Sequence, residues 1–394
     1  MDETIREQLK ETAAKYSDYV IRMRRYFHQH PELTDCEFNT AKVIREELDK
    51  IGVEWRVCGM ETGTLATIRG AKPGRTIMLR GDIDALPVQE DTGLDFASEN
   101  DGVMHACGHD CHAAMLLTAA HILNDMKDEL CGTVKLAFQP AEEQAHGAEA
   151  MIKDGVLEGV DKCFGIHVWA DVEAGKISCP AGPTMAGAHK FAVDIIGRGG
   201  HGAYPDMCID PVAAAGAVLT NIQSIVSREI APLQPALVTI GHIEGGATYN
   251  VIPDNVHLDG TMRCFDMDLF NKMPEMLEYK IRETAGAYHA KTEFKDRVLC
   301  PPVVNDEEIS EICESAANEL FGAGTSVKGK LTMGGEDYAN YLLKVPGAMC
   351  ELGIHNEAKN CVYPQHSAKY CIDEDVLLHG AMIYSAVAIQ SNAK

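Results

Sequence analysis

Residues 112–143 read HAAMLLTAAHILNDMKDELCGTVKLAFQPAEE. The long apolar run from about His112 to Lys127 predicts a helix, and the shorter Thr133–Phe138 predicts a strand. Working upstream, strand-like runs lie at Arg75–Leu79 (after a Lys-Pro-Gly turn), Thr64–Arg69 and Val53–Cys58. Ile5, Leu9, Tyr16, Val20, Met23 and Phe27 repeat mostly at three- and four-residue steps. They predict one amphipathic helix that Pro31 closes. Thr34 and Glu37 have capping-box spacing, so a second helix is expected from there to Gly52. Helices alternating with strands, several of them near-continuously apolar, indicate an α/β layer fold on a largely buried sheet.

Downstream the pattern changes. Phe191, Val193 and Ile195 alternate as in a strand with one face covered, and Asp210-Pro211 caps and starts a helix to about Arg228. Strands near Leu237–Ile243 and Asn255–Phe265, an Asp266-capped helix to about Tyr288 and a strand near Thr292–Val298 complete a β-α-β-β-α-β order. That order is the split ferredoxin-like motif, a domain in itself. It is read as an insertion at 186–298 within a discontinuous first domain, 1–185 and 299–394. The first domain resumes with an Asn305-capped helix, a strand near Ala348–Ile354 and a closing helix from Asp373. At 394 residues the chain is long enough for two cores.

Thirty-five basic against 59 acidic residues give a formal charge of −24, which argues against nucleic acid or an anionic membrane surface as partner. The apolar stretch Ala113–Leu123 is too short to span a bilayer. The opening MDETIREQLK lacks the basic and apolar regions of a secretory signal. Fourteen cysteines without a CxxC pair read as reduced thiols, and a cytoplasmic location is expected.

Four segments carry candidate chemistry. Cys107 and His109 stand two apart in a glycine-containing loop before a helix, where alternate residues point the same way and can share an ion. Capping the helix start is the alternative. Glu142 and Glu143 follow an apolar strand, so one can hold metal while the other takes a proton from a metal-activated water. A solvated acidic loop is the bland reading. His167 ends another apolar strand and His366 lies in Tyr-Pro-Gln-His-Ser. Either alone reads more readily as a core or loop histidine than as a ligand. Asp82 and Asp84 follow the Arg75–Leu79 strand as ligands or as groups that orient an imidazole.

Together RGDIDALPVQE (80–90), MHACGHDCHAAMLL (104–117), FQPAEE (138–143), GIHV (165–168), GRGGHGAYP (197–205), NVIPD (250–254), GTMR (260–263) and MGGEDY (333–338) resemble the M20 metallopeptidase family. The Cys-Gly-His-Asp variant points to its amidohydrolase branch, with the aminoacylases, hippurate hydrolases and indole-acetyl-amino acid hydrolases. The likeness runs in order from about His28 to His366. It implies a mixed-sheet catalytic domain with an inserted lid, and a dinuclear centre. In that centre Cys107 bridges where other branches use an aspartate, and His109, Glu143, His167 and His366 complete the ligands. It further implies Glu142 as general acid/base and His201, swinging in with the lid, as the group that polarises the scissile carbonyl. Asn250 and Arg263 would hold the substrate, Arg263 through its α-carboxylate, and Asp84 would orient a ligand. From spacing alone His201 fits a tight turn, Asn250 a bend and Arg263 a strand face. Asp82 stands where other branches place a histidine ligand and is not counted as one.

The expected reaction is hydrolysis of a small N-acyl amino acid (acetyl, benzoyl or a similar aryl-acyl) to a carboxylic acid and a free amino acid. Two divalent ions are implied, zinc first on the softness of the donor set, with manganese, cobalt or nickel as alternatives. A homodimer through the inserted domain is implied by the resemblance alone. The rival readings are a dipeptidase or carboxypeptidase of the same family and an inactive metabolite- or partner-binding protein. A structural zinc protein lacks its Cys₄ or Cys₂His₂ spacing here.

Overall fold

A computed structural model describes residues 1–392 and resolves into two compact units. The first comprises Met1–Gly182, Val304–Lys330 and Asp337–Lys394, and the second Pro183–Val303 and Leu331–Glu336.

The first unit is built on a seven-stranded mixed sheet in the order Glu54–Cys58, Met60–Arg69, Cys131–Gln139, Lys72–Asp82, Lys162–Glu173, Gly347–His355, Ile177–Ser178. The four inner strands are parallel to one another and the outer pairings are antiparallel. Their residues read as unbroken apolar runs because both faces of the inner strands are covered. The helix His109–Asp125 packs on this sheet, and Ser17–Gln29 and Leu377–Asn392 pack against that helix. Every residue from His109 to Ala120 is buried, so the helix shows almost no polar face. Asp82 pairs with Gln139 at the carboxyl ends of adjacent parallel strands. The residues that follow each strand therefore emerge side by side, where open α/β sheets gather their functional groups. Among the described residues no helix is long and apolar enough to cross a membrane.

In the second unit four strands run Ala236–Glu244, Asn255–Cys264, Gly187–Ile196, Lys291–Cys300, all antiparallel. In chain order that is second, third, first, fourth, the ferredoxin-like arrangement. The helices Pro211–Asn221 and Met267–Gly286 begin at Asp210 and Asp266, whose carboxylates accept the Val212 and Leu269 amides. The helices cover one sheet face around Phe191, Val193, Ile195, Leu258, Leu277 and Ile281.

Four local expectations give way to tertiary contacts. The first helix is two, Glu3–Ala14 and Ser17–Gln29, broken where Tyr16 donates to Asp125 at 2.8 Å and packs its ring 4.7 Å from that of His121. Thr34 and Glu37 form no capping box: the Glu32 carboxylate accepts the Asn39 and Thr40 amides instead. Asp306, not Asn305, caps the helix Glu307–Phe321, because Asn305 is engaged with Met349 and Pro180. Finally, Leu331–Glu336 packs with the second unit, where Thr332 exchanges backbone hydrogen bonds with Thr184 and Ala186 at 3.1 and 3.0 Å.

Candidate metal centre

The loop ahead of the central helix sets the first two donors. Gly108, between Cys107 and His109, has φ +92°. A Cβ there would sit 2.3 Å from Val168 Cγ2 and 2.9 Å from the Tyr370 hydroxyl, so only glycine lets the turn close. The strand Lys162–Glu173 supplies His167. Its Nδ1–H donates to the Val168 carbonyl at 2.7 Å, which leaves the Nε2 lone pair facing Cys107 Sγ at 3.5 Å.

After the strand Cys131–Gln139, Ala141 turns left-handed (φ +57°) and reverses the chain into Glu142 and Glu143. Both backbone amides donate to the Asp84 carboxylate, at 3.2 and 3.1 Å. The same carboxylate receives the Thr34 hydroxyl at 2.7 Å and lies 3.2 Å from His109 Nδ1. One buried aspartate thus fixes the carboxylate loop and the His109 ring together. Glu143 Oε1 lies 3.9 Å from His109 Nε2 and 3.6 Å from His366 Nε2. His366 is held in a left-handed turn (φ +65°) by its amide, which donates to Ala106 O at 2.7 Å.

Two sets of three donors result. Cys107, His109 and His167 have ligand atoms within 4.8 Å of one another, as do Cys107, Glu143 and His366. The sets share the Cys107 sulfur. His109 Nε2 and Glu143 Oε1 are buried with no hydrogen-bond partner, the state that a cation would relieve. Electrostatics agree. Burial and the Glu143 charge push the Cys107 thiol well up. Burial likewise raises the Glu143 carboxyl, to about 7, against the pull of His109 and with help from Asp84. Burial opposes a charged His109, but Asp82 and Asp84 outweigh it and raise that ring. His167 is lowered by burial and by His112. A borderline-soft dication suits thiolate, imidazole and carboxylate in this arrangement and would reverse the penalties on Cys107 and Glu143.

Asp82 is already committed. It accepts Arg80 Nη1 at 2.7 Å and His112 Nδ1, while its Oδ2 stands 3.5 Å from His109 Nε2. Arg80 is completely buried and reaches Gln139 and Asp337 as well, at 2.9 and 3.1 Å. His112, singled out by no spacing argument, braces the cluster: its Nε2 accepts the Val168 amide at 2.9 Å, so the proton sits on Nδ1. The available signal was its position three residues after His109, on the same helix face. Glu142 Oε1 accepts the Asp337 amide at 3.5 Å.

His201, Asn250 and Arg263 belong to the second unit. His201 and Val251 pair in a two-stranded ladder, and Gly202 donates to Asn250 O at 2.8 Å. The glycines around His201 permit this approach, since a Cβ on Gly199 would stand 2.6 Å from Ile252 O. His201 Nδ1 accepts the Ala203 amide at 3.0 Å, which leaves its Nε2–H free to donate from an exposed ring. The Arg263 guanidinium contacts Thr261 Oγ1 and Met333 O, both at 3.3 Å.

Comparison with known proteins places this geometry among relatives. A thermostable carboxypeptidase of Saccharolobus solfataricus is 40% identical over 392 residues, 98% of this chain and 99% of that one. An N-acetylcysteine deacetylase of Bacillus subtilis is 40% identical over 371 residues, 94% of this chain and 96% of that one. A Bacillus subtilis crystal structure described as a dinuclear metal binding peptidase superposes with a TM-score of 0.85 at 36% identity, covering 96% of this chain and 98% of that one. Residues 78–390 match the model of peptidase family M20/M25/M40, and the chain belongs to that family.

Proposed function

We propose that the protein is a two-cation amidohydrolase that removes the acyl group from the nitrogen of an amino acid. The observation that carries this is the pair of donor sets sharing Cys107, set beside a carboxylate loop pinned by Asp84. When bound, the two cations polarise the scissile carbonyl and make water acidic enough to deprotonate near neutral pH. Glu142 accepts a proton from the attacking water and returns it to the departing nitrogen, so water and amide become acid and free amine. His201, with its proton on Nε2, donates to the carbonyl oxygen as negative charge develops there. Asn250 and Arg263 hold the substrate, Arg263 through its α-carboxylate. Zinc fits the donor set first, with manganese, cobalt or nickel next. We further propose a cytoplasmic homodimer formed through the second unit.

A carboxypeptidase reading is favoured by one relative at the same identity as the deacetylase. Turnover of N-acetyl and N-benzoyl amino acids and of dipeptides, with each of the four metals added separately, distinguishes the two. Faster hydrolysis of the N-acyl amino acids is expected. Preference for peptides moves the assignment to the carboxypeptidase, and two bound metals with no turnover on any substrate leave a binding protein.

A further inference from the structure

The second unit carries a cluster that the hydrolytic chemistry does not use. Along Gly187–Ile196 and Asn255–Cys264, the residues Phe191, Val193, Ile195, Val256 and Leu258 face the helices. The alternating Asp194, His257 and Asp259 therefore lie on the opposite sheet face. His242, on the neighbouring strand, is paired with Asp259 in the ladder. His257 Nδ1 lies 2.8 Å from Asp194 Oδ1, and its Nε2 lies 3.2 Å from Asp259 Oδ2. His242 Nδ1 lies 3.3 Å from that same Asp259 oxygen. The ligand atoms of His242, His257 and Asp259 all fall within 4.8 Å of one another.

We propose that His242, His257 and Asp259 form a separate site for a first-row divalent transition-metal ion of the zinc class, with Asp194 orienting the His257 ring. Donors about 2.0 Å from zinc at tetrahedral corners stand about 3.3 Å apart, which is the separation of both nitrogens from the Asp259 oxygen. Asp194 takes the Nδ1–H of His257 and turns its Nε2 toward the other donors, the carboxylate–histidine–metal arrangement that fixes tautomer and ring angle. The cation takes the place of a proton between His257 Nε2 and Asp259. Two imidazoles exclude magnesium and calcium as preferred occupants. Three protein donors leave a fourth position for water. The ion ties the strand Ala236–Glu244 to its neighbour and stands apart from the acyl-transfer chemistry, so this proposal survives or fails independently of it.

The test is equilibrium dialysis of the full chain against zinc alone, comparing the wild type with the double variant His242→Ala/His257→Ala. The wild type is expected to hold one more zinc per chain than the variant, with hydrolytic activity equal in the two. Asp194→Asn retains both ligand rings and is expected to weaken that additional ion roughly 10–100-fold. Beyond the signal of the first unit's donor sets, copper(II) on the wild type should add an electron paramagnetic resonance component with two-nitrogen coordination that is missing from the double variant. Equal zinc counts in wild type and double variant overturn the site. Unchanged affinity for the additional ion in Asp194→Asn overturns the role given to Asp194.

Discussion

Cys107 is the residue on which the centre turns, because its sulfur is the only atom common to both donor sets described above. Serine offers a harder, far less acidic donor, so Cys107→Ser is expected to lose metal and to lower kcat/KM roughly 100-fold or more, beyond the effect typical of groups behind the ligands. Metal analysis alongside kinetics checks this, and full occupancy with full turnover removes Cys107 from the ligand set. Glu142→Gln separates proton transfer from metal binding. It is expected to lower kcat by roughly 10²–10⁴ while bound metal is unchanged. A variant that loses metal as well makes Glu142 a ligand instead. Sequence could list both carboxylates here; the left-handed backbone turn at Ala141 that leads into them is announced by no side-chain pattern.

At the level of elements, the start of the helix His109–Asp125 does two jobs, opening the helix and aiming its two flanking donors. Gly108→Ala forces a methyl into Val168 and a side chain into a left-handed backbone. A destabilisation of about 1–3 kcal/mol with weakened metal binding is expected, read by denaturant unfolding of the metal-free and metal-loaded protein. The strand Gly347–His355 shows a different tension. Glu351 lies within it, buried, and burial raises its carboxyl to about 7, against the lowering influence of the neighbouring Ser178 and with help from Cys179. The folded state then holds a proton more tightly than the unfolded chain. Stability contributed by this group is therefore complete below the ordinary carboxyl range and is lost as pH rises through about 7. Glu351→Gln is expected to stabilise the protein at pH 8, by about 3 kcal/mol at most, with the gain vanishing near pH 4. Unfolding curves at the two pH values decide it; an equal effect at both rejects the ionisation account.

For the whole molecule, folding is expected to be linked to cation binding. The first unit's core closes over carboxylates, a thiol and imidazoles that repel or strand one another without positive charge. Ions held a thousandfold above their Kd contribute about 4 kcal/mol to the folded state. Chelation is expected to lower the melting temperature of the first unit by roughly 10 °C. Metal return should restore both melting temperature and hydrolysis. A melting curve indifferent to chelator contradicts the linkage. The net charge of −24 works in the same direction, raising the local concentration of cations.

By itself the sequence determined the α/β class, the inserted ferredoxin-like order and the residue types offered for metal, because hydrophobic period and side-chain chemistry are properties of neighbours along the chain. It also named the motifs that carry the family likeness. Only the tertiary structure decided what those residues do to one another. Thr34 and Glu37 have the spacing of a cap, yet Thr34 donates to Asp84 and Glu37 accepts the Ala141 amide. Asp82, by spacing either a ligand or an orienting group and not counted as a ligand, is seen to be taken up by Arg80 and His112. His112 had no claim until the Val168 amide found its ring. The reason is physical: a buried polar group takes the partner that excludes water with it, and in four of these five pairs, all but Arg80 with Asp82, that partner is 30 or more positions away, beyond the reach of any local pattern.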